Sequence, residues 1–247
     1  MIQVPTWYEA PRVREHLAEV STATLTTQLL RRGFRTRFIA GVHPVRAGNR
    51  MVGYARTLRY IPMREDVDTM EILGDPTNPQ RKLIDGIGPG QVLVIDAMRQ
   101  PAAGSLGSIL ALRLQTLGAA GIVTDGAYRD TPAIRELRIP AYAAGEHGNA
   151  NITAYHPADT DLPVGCGGVM VVPGDAVVGD DEGVVVIPSD LVEEVARDAR
   201  EQELREVFIA ERVASGSPLA GTYPMGDDAR TAYEAWRAER ATLEGID

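Results

Sequence analysis

An arginine beside an aspartate, Arg129 and Asp130, closes the run TDGAYRD. A guanidinium can hold a carboxylate through two parallel N–H bonds, and an aspartate suits a hard divalent cation whose other ligands are water and substrate oxygens. Twenty residues separate Arg129 from Ser108. There Gly107, Ser108, Ile109 and Leu110 follow a glycine-bearing stretch and open a helix, whose unpaired amides and positive dipole end could bind a carboxylate or an α-keto oxygen. Together these groups describe a site for an α-keto acid chelated on a metal. The same residues have a plainer reading, in which Asp130 caps a helix starting at Thr131 and Arg129 makes a surface ion pair. Spacing alone leaves both open.

Few other groups compete for the chemistry. Lys82 is the single lysine and Cys166 the single cysteine, so a Schiff base or a thiol nucleophile would fall on these two residues. Lys82 reads as part of a solvated ion-pair face with Arg81 and Asp85, and Cys166 as a small buried side chain. A histidine can serve as acid or base near neutral pH, but His147 and His156 read as solvated loop residues. Asp125 either orients Arg129 or a metal-bound water, or forms an Asp-Gly turn. Asp180, Asp181 and Glu182, in GDDEG, read as a polar hairpin tip. Glu193, Glu194, Glu201, Glu203 and Glu206 read as a solvated helix face with intrahelical pairs, from which one could reach a neighbour's site in an oligomer. Trp7 and Trp236 read as anchors for the terminal segments.

The elements that must position the central groups follow from periodicity. Residues 11–32 read as a helix broken near Ser21 and stopped by Gly33, and residues 51–61 as a half-buried strand. A polar stretch, 64–79, precedes a short helix at 80–87. GPGQVLVIDA then gives a buried strand ending on Asp96, followed by a glycine-bearing loop, a helix at 107–117 and a second buried strand at 120–124. That is a βαβ unit with parallel strands, and it places Arg129 and Asp130 at the sheet edge where ligands of α/β folds collect. A helix at 131–137 and a strand at 139–143 follow. Residues 162–188 read as at least two strands joined by GDDEG. A long amphipathic helix is expected from Ser189 to about Ala214, with Asp190 as N-cap and Glu193 completing a capping box. One more helix is expected near the C-terminus.

Composition bounds the rest. The chain has 247 residues, 44% of them hydrophobic, with 34 acidic against 25 basic side chains and a formal charge of −9. That is enough apolar content for a core, and the acidic balance argues against nucleic acid or an anionic membrane as partner. No apolar run approaches the roughly 20 residues of a membrane span. With one cysteine and no signal-peptide layout at residues 1–10, a cytoplasmic location is expected.

The motifs GSLGSILALRLQTLGAAGIVTDGAYRD and VPGDAVVGDDEGVVVIP resemble the superfamily of the 4-hydroxy-4-methyl-2-oxoglutarate aldolases, the class II pyruvate aldolases, and the regulator of ribonuclease E activity. The resemblance covers roughly residues 22–188. It implies an α/β fold, the swivelling β/β/α sandwich, here with N-terminal helices, as a domain over residues 1–188 and a helical C-terminal extension over 189–247. It also implies a trimer or dimer of trimers with the site near a subunit interface. Residue by residue, it puts the substrate loop on Gly107, Ser108, Ile109 and Leu110, the substrate-carboxylate arginine on Arg129 and the metal-binding aspartate on Asp130, with Mg²⁺ or Mn²⁺ as cofactor. Its chemistry is a lyase reaction in which the metal stabilises a pyruvate enolate. One position departs from the family's pattern: its aldolases carry an acidic residue where this chain has Ser108. Serine supplies neither the charge nor the basic oxygen of a carboxylate, and oxaloacetate decarboxylation, which needs no base at a 4-hydroxyl, survives that change better than retro-aldol cleavage. The other readings are dehydration of a sugar-derived keto acid and a non-enzymatic regulator that binds ribonuclease E.

Overall fold

The computed structural model describes residues 3–244, and the chain divides into two compact units on either side of the Arg197–Asp198 bond. The first unit begins with α1 (Thr6–Glu9), α2 (Pro11–Glu19) and α3 (Thr22–Arg31). The break expected near Ser21 is real: Ser21 is extended and its hydroxyl accepts the Thr24 amide, which starts a new helix. There follow β1 (His43–Pro44), β2 (Met51–Pro62), a 3-10 turn at Met70–Gly74, α4 (Pro79–Asp85), β3 (Gln91–Asp96), β4 (Gly104–Leu106), α5 (Ser108–Thr116), β5 (Gly121–Tyr128), α6 (Thr131–Arg135) and β6 (Ala141–Glu146). After a second 3-10 turn come β7 (Tyr155–Thr160), β8 (Val164–Cys166), β9 (Val169–Val171), β10 (Ala176–Gly179), β11 (Val184–Ile187), α7 (Val192–Ala214) and α8 (Asp227–Glu244). The unit boundary falls inside α7.

Among the described residues the main sheet runs β1-β6-β5-β3-β2-β10-β11, with β4 added to β5 and β7 to β2, while β8 and β9 form a separate hairpin. The centre, β2-β3-β5-β6, is parallel, and its flanks are antiparallel. Strand β3 is apolar from Val92 to Ile95 because both its faces are covered. Leu93 and Ile95 join a core beneath α4, α5 and α6, whereas Val92 and Val94 join a core with the β8–β9 hairpin, β10 and β11. This is the swivelling β/β/α sandwich: helices on one face of the sheet, further β structure on the other.

Three local expectations are corrected. The second buried strand does not stop at Thr124 but runs to Tyr128, across an irregularity between Thr124 and Ala127 in its pairing with β6, so Arg129 follows the strand directly. The glycine-bearing loop contains β4, whose Gly104 and Leu106 pair with Ala127 and Tyr128. The long helix is entered through a 3-10 turn at Ser189–Leu191 that includes Asp190 and has no side-chain cap, so the expected capping box is absent there. The GDDEG acids do form the β10–β11 turn, and two of them are tethered. Asp180 accepts the Thr22 amide and hydroxyl, both at 2.8 Å, and Asp181 accepts the Gly48 amide at 2.7 Å.

The second unit is a helical pair. Phe208 meets Tyr233 and Trp236 edge-on, those two rings stack, and Arg237 pairs with Glu201 at 3.0 Å. The Tyr233 hydroxyl donates to Glu201 at 2.9 Å, and its pKa is pushed up to about 12, by burial first and by that carboxylate second. Trp7, in the first unit, is buried with its indole N–H on the Gly174 carbonyl, and Trp236 donates to Glu211.

Candidate functional site

The end of β5 is held where it is by β4. The Arg129 amide donates to the Leu106 carbonyl at 2.9 Å, and a Cβ at Gly104 would lie 2.5 Å from the Arg129 Cβ, so only glycine permits that approach. Buried polar groups fix β4 from behind. The Ser105 hydroxyl donates to the Ala127 carbonyl at 2.9 Å, and the Ser105 carbonyl accepts from Tyr60 at 2.8 Å and from Gln80 at 2.9 Å. Burial keeps the Tyr60 hydroxyl protonated by driving its pKa above the ordinary tyrosine value.

Asp130 follows in the left-handed region, φ 60° and ψ 36°, a conformation that costs a non-glycine residue roughly 1 kcal/mol or more. It occupies the N-cap position of α6, yet its side chain makes no cap bond there. The carboxylate turns instead across to the start of α5, where its Oδ2 accepts the Ser108 amide at 3.4 Å and the Ser108 hydroxyl at 3.3 Å. Its Oδ1 stands 3.7 Å from the Arg129 Nε, and both side chains are nearly half exposed. The plainer reading thus keeps its surface ion pair but loses its helix cap.

These residues border a cleft of about 210 Å³, small beside the 300–1,000 Å³ of drug-sized sites, lined by Gly107, Ile109, Leu110, Arg129 and Asp130 together with Leu73, Asn78, Gln80, Arg81, Gly104, Ser105, Leu106, Ala150 and Asn151. Ser108 lies beside the cleft rather than on its wall and serves Asp130. Sequence reasoning missed the α4 side of the cleft, Asn78, Gln80 and Arg81, and the Asn151 side chain, which donates to Gln80 Oε1 at 3.1 Å. The solvated ion-pair face expected around Lys82 is present, with Arg81, Lys82 and Asp85 exposed, but the partner of Asp85 is Arg113 at 2.9 Å, and Arg81 also lines the cleft, which Lys82 does not.

The other candidates stand apart. Asp125 neither turns the chain nor reaches Arg129. It is buried within β5, where it accepts the Ala97 amide at 2.7 Å and the Gly167 amide at 3.0 Å, and burial raises its pKa despite those bonds. Cys166 is buried, its thiol pushed up by the same desolvation. His147 accepts the Asn149 amide in an exposed loop. His156 is on β7, its Nδ1 2.8 Å from the buried carboxylate of Asp68, a partner its sequence neighbours do not reveal.

The donor set limits which metal would fit. Among the described residues no three His, Cys, Asp or Glu side chains converge as a cage, which excludes a closed zinc site. One half-exposed carboxylate, Asp130, is a donor that Mg²⁺ or Mn²⁺ would accept, since these ions retain water and take substrate oxygens alongside one or two protein carboxylates.

Comparison with known proteins gives this geometry a lineage. The RraA-like family model, described as Aldolase/RraA, matches residues 19–186. A protein of Halalkalibacterium halodurans, provisionally named a 4-hydroxy-4-methyl-2-oxoglutarate aldolase, is 32% identical over 189 residues, 72% of this chain and 80% of that one. The crystal structure of Streptomyces coelicolor RraAS2, described as an unusual member of the RNase ES inhibitor RraA protein family, superposes with a TM-score of 0.74 at 33% identity, covering 84% of this chain and 98% of that one. The RNA-processing inhibitor RraA from Thermus thermophilis gives 0.53 at 26%, covering 69% and 93%. With the family pattern spanning the sheet, the cleft and both residues at the end of β5, this chain belongs to the RraA-like, aldolase/RraA, family.

Proposed function

We propose that the cleft binds a 2-keto acid beside a divalent cation, Mg²⁺ or Mn²⁺, held at Asp130, and that the protein is a lyase of the class II pyruvate aldolase type, acting as an oxaloacetate decarboxylase ahead of a retro-aldolase. The observation that carries this is the turn of the Asp130 carboxylate away from α6 to the start of α5, at the border of the cleft it lines, in a backbone conformation that a plain helix cap would not require. Bound there, the cation supplies positive charge that draws electrons out of the 2-keto carbonyl.

The chain's own residues do the rest. Arg129 holds the C1 carboxylate, and its guanidinium opposes the charge that builds as the C3–C4 bond breaks. The Ile109 and Leu110 amides at the start of α5 point the same field at the anion, the Ser108 amide being engaged by Asp130. Leu73, Leu106 and Leu110 line the cleft and limit water at the reacting carbons. In decarboxylation the C4 carboxylate leaves as CO₂, the electron pair passes to the 2-keto oxygen, and C3 takes a proton from water, giving pyruvate. Ser108 donates to Asp130 and offers no base for a 4-hydroxyl, which favours decarboxylation over retro-aldol cleavage.

The test is pyruvate release from oxaloacetate and from 4-hydroxy-2-oxo acids with Mg²⁺ or Mn²⁺, read by a coupled assay above the protein-free rate. Turnover lost with chelator and reduced at least about 100-fold by Asp130→Ala is expected. No cation-dependent turnover with these substrates or a panel of sugar acids would refute the lyase reading. The names of the Streptomyces and Thermus neighbours support a second reading, a regulator that binds a ribonuclease. In that case ribonuclease E inhibition would persist in Asp130→Ala. An assembly into trimers or dimers of trimers and a cytoplasmic location complete the proposal.

A further inference from the structure

We propose that Arg81 is a second anion anchor in this cleft and selects dicarboxylic over monocarboxylic 2-keto acids, a reading that rests on the 2-keto acid site proposed above. The ionised groups of the lining are Arg81, Arg129 and Asp130, so the walls carry a net positive charge before any cation binds, on a chain whose formal charge is −9. Arg129 accounts for one carboxylate. Arg81 approaches from a different element, α4, and is exposed.

Among the described residues its guanidinium makes no hydrogen bond or ion pair. Arg56, Arg59, Arg64, Arg113 and Arg135 each pair with a carboxylate, but among the described residues no such partner holds Arg81. Asp85, one turn along the same helix and the natural i,i+4 partner, is given to Arg113 instead. The neutral polar groups around Arg81 are satisfied by one another: Asn78 Oδ1 accepts the Gln80 and Arg81 amides, and Gln80 bonds both the Ser105 carbonyl and Asn151. They leave a fixed, neutral wall with one unclaimed cation. A small cleft with an arginine on each of two elements matches a short chain with a carboxylate at each end.

Two five-carbon acids that differ only at the far end separate this from general anion attraction. In calorimetry with Mg²⁺, 2-oxoglutarate should bind the wild-type protein about tenfold to a hundredfold more tightly than 2-oxopentanoate. In Arg81→Gln that preference should vanish while 2-oxopentanoate affinity is kept, and Arg81→Lys should retain part of it. With oxaloacetate, Arg81→Gln should raise KM about tenfold more than it changes kcat, because the carboxylate it holds is the one that departs. Equal binding of the two acids by the wild type, or a preference that survives Arg81→Gln, overturns the role of Arg81 and leaves the keto acid site standing. Binding of neither acid, with or without cation, overturns both.

Discussion

At the scale of single residues, the site is decided by where one carboxylate points. Asp130 accepts left-handed backbone, forgoes the helix it precedes, and takes two bonds from Ser108. Glycine would hold the same backbone without steric cost, though it gives up more chain entropy on folding, and the two effects are each about 1 kcal/mol and opposite in sign. Asp130→Gly is therefore expected to unfold in urea within about 1 kcal/mol of the wild type while cation-dependent turnover is lost. A large loss of stability would make Asp130 a structural residue. Ser108 also changes meaning at this scale. Read as a missing acid, it is in the structure a donor pair that aims Asp130, which is the other half of why a base is lacking beside the cleft.

Elements bring these residues together, and here the sequence was legible in part. The parallel β3-α5-β5 unit could be read from its apolar runs and glycine stops, and with it the shared edge of Gly107 and Arg129. What periodicity could not show were contacts made across long separations: β4 alongside the end of β5, α4 as the far wall of the cleft, Asp68 beneath His156. Asp125 was misread for the same reason, since an Asp-Gly pair favours a turn locally, and the strand runs through it because two distant loops donate amides to its carboxylate. That burial has a testable sign. The native Asp125 carboxyl titrates above its unfolded value, chiefly through desolvation, so its contribution to stability is full below the ordinary carboxylate range and is lost as pH climbs toward the raised native value. Asparagine does not titrate. The stability advantage of wild type over Asp125→Asn, measured in urea, should be larger near pH 4 than near pH 7, and a gap that stays constant or widens with pH would contradict the burial argument.

At the scale of the whole molecule, the division of labour follows the division into units. Every residue lining the cleft falls between Leu73 and Asn151, inside the first unit, and the family pattern at residues 19–186 lies there as well. The second unit has its own small core, with Phe208 at 4% exposure against Tyr233 and Trp236. Compact units with separate cores open separately, at free energies set by their own contacts. Truncating a buried phenylalanine to alanine costs about 3 kcal/mol or more, which corresponds to roughly a 100-fold increase in the open population of the segment it holds. Phe208→Ala should therefore speed amide exchange in α8 on that order, while amides of β3 and β5 keep their protection and cation-dependent turnover persists. Acceleration shared equally by β3 and β5 would mean that the sheet carrying Arg129 and Asp130 depends on the helical unit for its stability, and the cleft would then have to be understood as a property of the full chain.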